Sequence, residues 1–245
     1  MRRRFFVDRF DPDSATLRGD AAAHLGRVLR AEPGQLYELS DGARVWLGRI
    51  SRVALAKSGK GEITFELLEP VAVKEPPWRL HLLLSIVKFD RFEWCLEKAT
   101  ELGVNEITPL IAARTDKPLV AAASKRSSRW EKILLESAQQ ARRLRPPALH
   151  AAVRSTESFA RSKGSLNVLL SEREDAPAFG RALSGVRASD AVLAIGPEGG
   201  WTGEEIAAAR AAQFVEASLG DTILRTETAA LAALAILRFS LAGAA

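Results

Sequence analysis

The chain has 245 residues, 47% of them hydrophobic and 27% charged. That composition excludes long disorder, and the length allows one large domain or two smaller ones, each with a core. The single cysteine, Cys95, excludes an internal disulfide framework and a Cys-rich zinc site. The three histidines, His24, His81 and His150, lie far apart, with no pair at metal-ligand spacing, so no metal is expected.

The opening MRRRFFVDRF is basic but has no apolar core, so it does not read as a secretory signal. The most apolar stretch, 228–245, is Ala-rich and broken by Arg238; it reads as a buried helix rather than a membrane span. A reduced, cytoplasmic setting without membrane attachment is the default expectation. Net charge is +5 and its excess is local: between Arg114 and Arg145, nine Lys/Arg face three acids. Such a segment suits a polyanionic partner, or is a solvated helix face with surplus cations.

In chain order, the first seventy residues show short β-rich runs at Phe5–Val7, Gln35–Leu39, Val45–Arg52 and Glu62–Leu68. Turn signals at Pro33-Gly34, Asp41-Gly42 and Gly59-Lys60-Gly61 separate them, which predicts a small β-barrel-like domain. One short helix is predicted over Asp20–Arg30. Three prolines between Pro70 and Trp78 disfavour helix and central strand and mark a boundary. The domains are therefore expected at 1–72 and 73–245.

Beyond Trp78, strands and helices alternate. Leu80–Val87 is a continuous apolar run, as a strand buried on both faces should be. Asp90–Leu102 has helical spacing, with Gly103 as its stop. Glu106–Ala112, Leu166–Ser171, Ala191–Gly196 and Phe214–Leu219 are the further strands. Arg129–Leu144 is a basic amphipathic helix with Trp130 inward, and Thr202–Gln213 opens on a capping box, Thr202-x-x-Glu205. Thr226–Ala242 is apolar around most of its circumference and needs cover on several sides. The alternation predicts an α/β domain with a mostly parallel sheet.

Two glycine turns between a strand and a helix carry the chemistry: Ile195-Gly196-Pro197-Glu198-Gly199-Gly200-Trp201, and Leu219-Gly220-Asp221-Thr222-Ile223-Leu224-Arg225-Thr226-Glu227-Thr228. Ligands of open α/β sheets bind at the carboxyl ends of the strands, where glycines allow close backbone approach. The G-x-G-x-x-G fingerprint, the phosphate loop and the G-x-S-x-G elbow are all absent. A turn with an acid and no lysine disfavours a phosphate-rich cofactor and leaves a small uncharged or cationic adenosyl group.

With those two turns, His24-Leu25-Gly26-Arg27-Val28-Leu29-Arg30, Lys98-Ala99-Thr100-Glu101-Leu102-Gly103-Val104 and Ile107-Thr108-Pro109-Leu110 complete a pattern spanning nearly the whole chain. In it the chain resembles the RsmE-type 16S ribosomal RNA uracil-N3 methyltransferases of the SPOUT superfamily. The resemblance implies a PUA-like RNA-binding barrel, then a knotted methyltransferase domain with S-adenosylmethionine bent against the two turns. It also implies a homodimer, with 16S rRNA in the small subunit as substrate. The residues it carries to the cofactor are Leu170, Ile195, Gly196, Pro197, Glu198, Gly199, Gly200, Leu219, Gly220, Ile223, Leu224, Thr226 and Thr228. Two departures stand out. Many relatives have Glu-Gln-x-Gly-Arg where this chain has Gln139-Gln140-Ala141-Arg142-Arg143, and the turn after the first C-terminal strand, usually small or glycine-containing, is Lys88-Phe89-Asp90-Arg91.

Methylating uracil N3 requires an unstacked base, loss of the N3 proton and in-line positioning. Arg225 is the first candidate for stabilising charge on a uracil oxygen, against a plain ion pair with Glu227 or Glu198. Glu198 orients the cofactor or helps remove the proton, or else accepts backbone N–H bonds at the next helix start. Thr226 reads most simply as an N-cap. No residue stands out as a dedicated general base. Arg2, Arg3, Arg4, Arg27 and Arg30 are candidates for phosphate contact, Arg27 and Arg30 sharing one helix face by their spacing. Lys88, Arg114, Arg142 and Arg143 form a second tier. Cys95 reads as core, His24 as a packing or hydrogen-bonding residue, and Trp201 as a possible base-stacking ring. The alternatives are a non-catalytic ribosome assembly factor on the same fold and a related methyltransferase with another RNA target.

Overall fold

A computed structural model describes residues 3–55, 61–184 and 189–243. Two compact units result: Met1–Glu75 with Ala138–Pro146, and Pro76–Ser137 with Pro147–Ala245. The segment Ala138–Pro146, which sequence position puts in the second domain, clusters with the first unit instead.

In the first unit, period-two alternation builds a sheet of five strands among the described residues: β1 (Arg4–Phe6), β2 (Ser14–Arg18), β3 (Leu36–Ser40), β4 (Val45–Leu55) and β5 (Gly61–Pro70), in the order β1-β3-β4-β5-β2. All pairs are antiparallel except β1 with β3. Phe5, Leu17, Leu39, Ile50, Ile63 and Phe65 meet in its core. Register shifts at Leu47/Gly48 and Ile50/Arg52 bend the long β4–β5 ribbon. The sequence gives no strand signal at β2, whose five residues offer only Ala15 and Leu17 to the core.

The helix expected over Asp20–Arg30 is shorter and broken. Helix α1 (Gly19–Ala23) passes into a π-helical turn at His24–Val28. Arg30 then takes a left-handed backbone with φ +51°. Arg27 and Arg30 therefore do not share a helix face.

The second unit holds β6 (Arg79–Ser85), α2 (Phe89–Glu101), β7 (Glu106–Ile111), α3 (Lys117–Ala123), α4 (Ser127–Gln140, its last turn reaching into the first unit), β8 (Ala148–Leu149), β9 (Val153–Arg154), α5 (Ser155–Arg161), β10 (Leu166–Leu170), α6 (Phe179–Ala182), β11 (Asp190–Ile195), α7 (Gly203–Ala211), β12 (Val215–Ala217) and α8 (Thr226–Gly243). Every pairing in its sheet is parallel, in the order β12-β10-β11-β6-β7-β8, with β9 also on β7.

Burial on both faces explains the unbroken apolar runs. Leu82, Leu84, Val168, Leu193 and Ile195 pack with Phe92, Leu96, Leu234 and Leu237 on one side. Leu83, Leu110, Leu169, Val192 and Ala194 pack with Phe159, Ile206 and Phe214 on the other. Helix α2 ends as its glycine dictates: Gly103 has φ +93° and Val104 N–H donates to the Ala99 carbonyl. Cys95 is fully buried, and burial pushes its thiol up to about 12, which makes it an inert core residue. Trp130 is also core, its ring 4.6 Å from that of Phe92. Among the described residues no helix is long and apolar enough to cross a membrane. Helix α8 buries Ala230, Ala233, Leu234, Leu237 and Leu241 but leaves Phe239 82% exposed.

Candidate functional site

Three segments leave the carboxyl ends of β10, β11 and β12 and meet around one cavity of about 540 Å³. They are the chain after Leu170, the turn from Gly196 to Trp201, and the long turn from Ser218 to Arg225. This is where a parallel sheet places its ligands, because the strands end there with main-chain groups not yet claimed by a helix.

The first glycine turn is built on its lack of side chains. A Cβ on Gly196 would lie 3.1 Å from the Trp201 indole. Gly200 has φ +68°, and a Cβ there would lie 2.8 Å from a Glu172 carboxylate oxygen. Trp201 is nearly buried and donates its indole N–H to the Leu170 carbonyl at 2.8 Å. It is thus a strut between two cavity walls and not an exposed stacking ring.

Glu205, rather than Glu198, serves the next helix. Its carboxylate accepts from Thr202 N–H at 2.9 Å, Ala113 N–H at 2.9 Å and the Ser155 hydroxyl at 2.6 Å. The capping box forms as predicted. Burial raises the Glu205 carboxyl, but those hydrogen bonds outweigh it and hold it below the ordinary value.

Glu198 faces Arg91 instead, which the sequence reading passes over as a loop variation. Arg91 lies in the first turn of α2 and contacts Glu198, with Glu227 3.7 Å away on its other side. This leaves Arg225 without a carboxylate partner among the described residues. It is exposed at the cavity wall, so the plain ion-pair reading of Arg225 does not apply. Thr226 is not the expected N-cap either. It is the first residue of α8, and its hydroxyl donates to the Gly196 carbonyl at 3.2 Å, fastening one turn to the other.

Of the residues carried to a cofactor, Leu170, Ile195, Gly196, Pro197, Glu198, Gly200, Leu219, Gly220, Ile223, Leu224 and Thr226 line the cavity. Gly199 and Thr228 do not. Gly199 turns its carbonyl to Arg114, 2.6 Å away, and Thr228 is exposed on α8. Arg91, Glu172, Asp221 and Ala229 line it without having been singled out. No local spacing signals Arg91, whose partners are over a hundred residues away.

The basic candidates scatter. Arg3, Arg27, Arg30, Lys88, Arg114 and Arg142 are exposed, Arg143 is half-buried, and Arg2 lies outside the described residues. Arg4 is buried, contrary to the expected phosphate contact: Glu38 holds its guanidinium at 2.8 Å. Arg142 contacts the same carboxylate. Within the basic segment, Glu93 takes both Arg126 and Arg129, at 3.2 Å and 2.8 Å, and Glu75 takes Arg145 at 2.9 Å. Much of that charge is therefore balanced locally.

Comparison with known proteins agrees with this geometry. Residues 74–238 match the model of an RNA methyltransferase domain. The ribosomal RNA small subunit methyltransferase E of a Synechocystis species is 34% identical over 86% of this chain and 68% of its own length. Its Mycobacterium bovis namesake is 31% identical over 94% and 88%. The chain belongs to the RsmE-type rRNA methyltransferase family. A crystal structure of the Neisseria gonorrhoeae member, bound to S-adenosyl methionine, superposes with a TM-score of 0.82 at 29% identity, covering 98% of both chains. The RsmE-type match thus extends through both units.

Proposed function

We propose that the cavity of this chain binds S-adenosylmethionine and that the protein methylates N3 of a uridine in 16S ribosomal RNA. The observation that carries the reading is the meeting of three strand ends around a glycine-lined cavity beside Arg225, which has no carboxylate partner among the described residues. The cavity has the size of a small-ligand site. Gly196 presents main chain where a Cβ would crowd the Trp201 indole, and Gly200 does so with a left-handed backbone of φ +68°. The walls mix apolar Leu170, Ile195 and Leu224 with the acids Glu172, Glu198 and Asp221 and the arginines Arg91, Arg114, Arg173 and Arg225. The apolar walls suit a neutral adenosyl group, and the acids suit a cationic centre.

S-adenosylmethionine supplies an electrophilic methyl carbon on a sulfonium. The residues of the chain do the rest. Leu170, Ile195, Leu219 and Leu224 exclude water, and Gly196, Pro197, Gly200 and Gly220 give the main chain its close approach. Thr226 fixes the distance between the turns. Arg225 binds the uracil edge and stabilises the negative charge on its oxygen as the N3 proton leaves. Glu198, held by Arg91, orients the site. Arg3, Arg27, Arg30, Lys88, Arg114 and Arg143 bring phosphate to each unit, a contact that steepens salt dependence.

The second unit, residues 73–245 in outline, is a SPOUT domain with a trefoil knot. The bond between Thr226 and Gly196, with α8 packed against α2, supports this. Residues 1–72 form a PUA-like RNA-binding barrel, supported by the bulged, mostly antiparallel sheet. The enzyme is a cytoplasmic homodimer, supported by Phe239 and Ile236 on the open face of α8. Phe239→Glu should shift sedimentation toward the monomer, and an unchanged dimer would exclude that face.

The deciding measurement pairs calorimetry with nucleoside mass spectrometry of 16S rRNA. The wild-type chain should bind S-adenosylmethionine and produce 3-methyluridine. Arg225→Ala should keep the binding and lose methyl transfer by about 100- to 1,000-fold, the scale of removing one charge-stabilising donor. Absence of 3-methyluridine, or an unaffected Arg225→Ala, overturns the proposal.

A further inference from the structure

We infer a second site: a divalent transition-metal site made by His81, Glu106 and His150 at the amino-terminal end of the parallel sheet. The three residues are dispersed in sequence, and that dispersal is why spacing argues against a metal. Parallel pairing cancels the separation. His81 is the register partner of Glu106 on β6 and β7. Glu106 in turn is the partner of Ala148 on β8, and His150 N–H donates to the Ile107 carbonyl two residues further on. His81 and Glu106, near the amino ends of β6 and β7, and His150, just past β8, thus bring one donor each to the same point. One ligand atom from each lies within 4.8 Å of the other two.

The surroundings already orient the donors. His150 Nε2 lies 3.0 Å from one Glu106 oxygen, while Arg79 lies 3.4 Å from the other. His81 Nε2 lies 2.8 Å from the Thr108 hydroxyl, and the two imidazole rings are 5.5 Å apart. Thr108 and Arg79 lie outside the donor set and hold His81 and Glu106 in place, as outer contacts do in metal sites. Two imidazoles and one carboxylate are the donor set of zinc and its neighbours, leaving a fourth position for water. Donors about 2 Å from a tetrahedral ion sit roughly 3.4 Å apart, so closing the site needs only side-chain rotation. His150 is half exposed and supplies that freedom.

The position sets the role. Strand amino ends point away from the glycine-turn cavity, which lies at the carboxyl ends. An ion here would take no part in methyl transfer. It would clamp the two-residue strand β8 to β7 and stiffen the sheet edge.

The test uses the untagged full chain, titrated with Zn²⁺ against a chromophoric chelator, with Co²⁺ as a spectroscopic probe. One equivalent of Zn²⁺ should bind, and Co²⁺ should give a visible ligand-field band. His150→Ala should weaken binding by about a hundredfold or more and abolish the band, since even outer contacts of such ligands are worth ten to a hundred. Glu106→Gln should weaken it too, and His24→Ala should change nothing. Circular dichroism establishes that each variant is folded. No saturable binding by the wild-type chain, or equal binding by folded His150→Ala, overturns the site and leaves the cluster a hydrogen-bonded ion pair. Neither result bears on the methyltransferase reading.

Discussion

Two ion clusters in this molecule are inverses of each other. In the first unit one carboxylate, Glu38, sits between two arginines, Arg4 and Arg142. In the second, one arginine, Arg91, sits between two carboxylates, Glu198 and Glu227. The Glu38 and Arg4 side chains are only 5% and 4% exposed, whereas Glu198 is 48% exposed on the cavity wall. Burial decides what each can do. A buried cluster cannot exchange partners for water, so it locks the sheet. A cluster open on one side can release a member to a ligand.

The largest expected effect comes from breaking the buried cluster. Glu38→Gln keeps the shape but strands the Arg4 charge, so it should cost about 3–5 kcal/mol in urea unfolding. A change under about 1 kcal/mol would mean that water or another acid already serves Arg4.

The same cluster should show in acid. Burial pushes the Glu38 carboxyl up, but hydrogen bonds from Arg142 and Arg4, with their charges, outweigh it and hold it below the ordinary glutamate value. The unfolded chain therefore takes up this proton at higher pH than the folded one. Its stabilisation is complete above the ordinary range, about pH 4.5, and is lost as pH falls through the depressed folded value. Unfolding free energy should decline over that window in the wild type and less steeply in Glu38→Gln.

Opening the other cluster should cost less stability and more function. Arg91→Ala leaves Glu227 mostly buried without its cation and should destabilise by about 1–2 kcal/mol. It also frees Glu198, and S-adenosylmethionine affinity should fall by about tenfold, or 1.4 kcal/mol. Unchanged affinity would reduce Arg91 to a structural residue.

Neither cluster is legible in the sequence, and the reason is distance along the chain. What can be read there is local: the capping box of Thr202 and Glu205, the stop at Gly103, the doubly buried runs at Leu80–Val87 and Ala191–Gly196, and the two glycine turns. Each depends on side chains within a few residues of one another. Strands β8 and β9 have two residues each, too few for any period, and β2 shows too little alternation. Arg91 finds Glu198, and His81 finds His150, only because parallel strands bring distant segments side by side. Arg27 and Arg30 fail in the opposite sense: their spacing is helical, but a π-helical turn and a left-handed residue intervene.

The smallest effect separates backbone from charge at Arg142. This residue follows α4 with φ +54°, and Arg143 N–H donates to the Ala138 carbonyl at 2.9 Å, the closing bond of a Schellman end. A glycine fits that conformation without strain, which accounts for the glycine in the family pattern. Arginine tolerates the strain and gains Glu38. Arg142→Ala keeps the strain and loses the pair, so it should destabilise by about 1 kcal/mol. Arg142→Gly loses the pair but relieves the backbone, so the two changes should nearly cancel. If both variants lose the same stability, backbone strain contributes nothing here and the pair with Glu38 accounts for the whole effect. If Arg142→Gly is the more stable of the two, the left-handed helix end is what the family glycine serves, and the arginine is a local substitute that secures Glu38 from its exposed side.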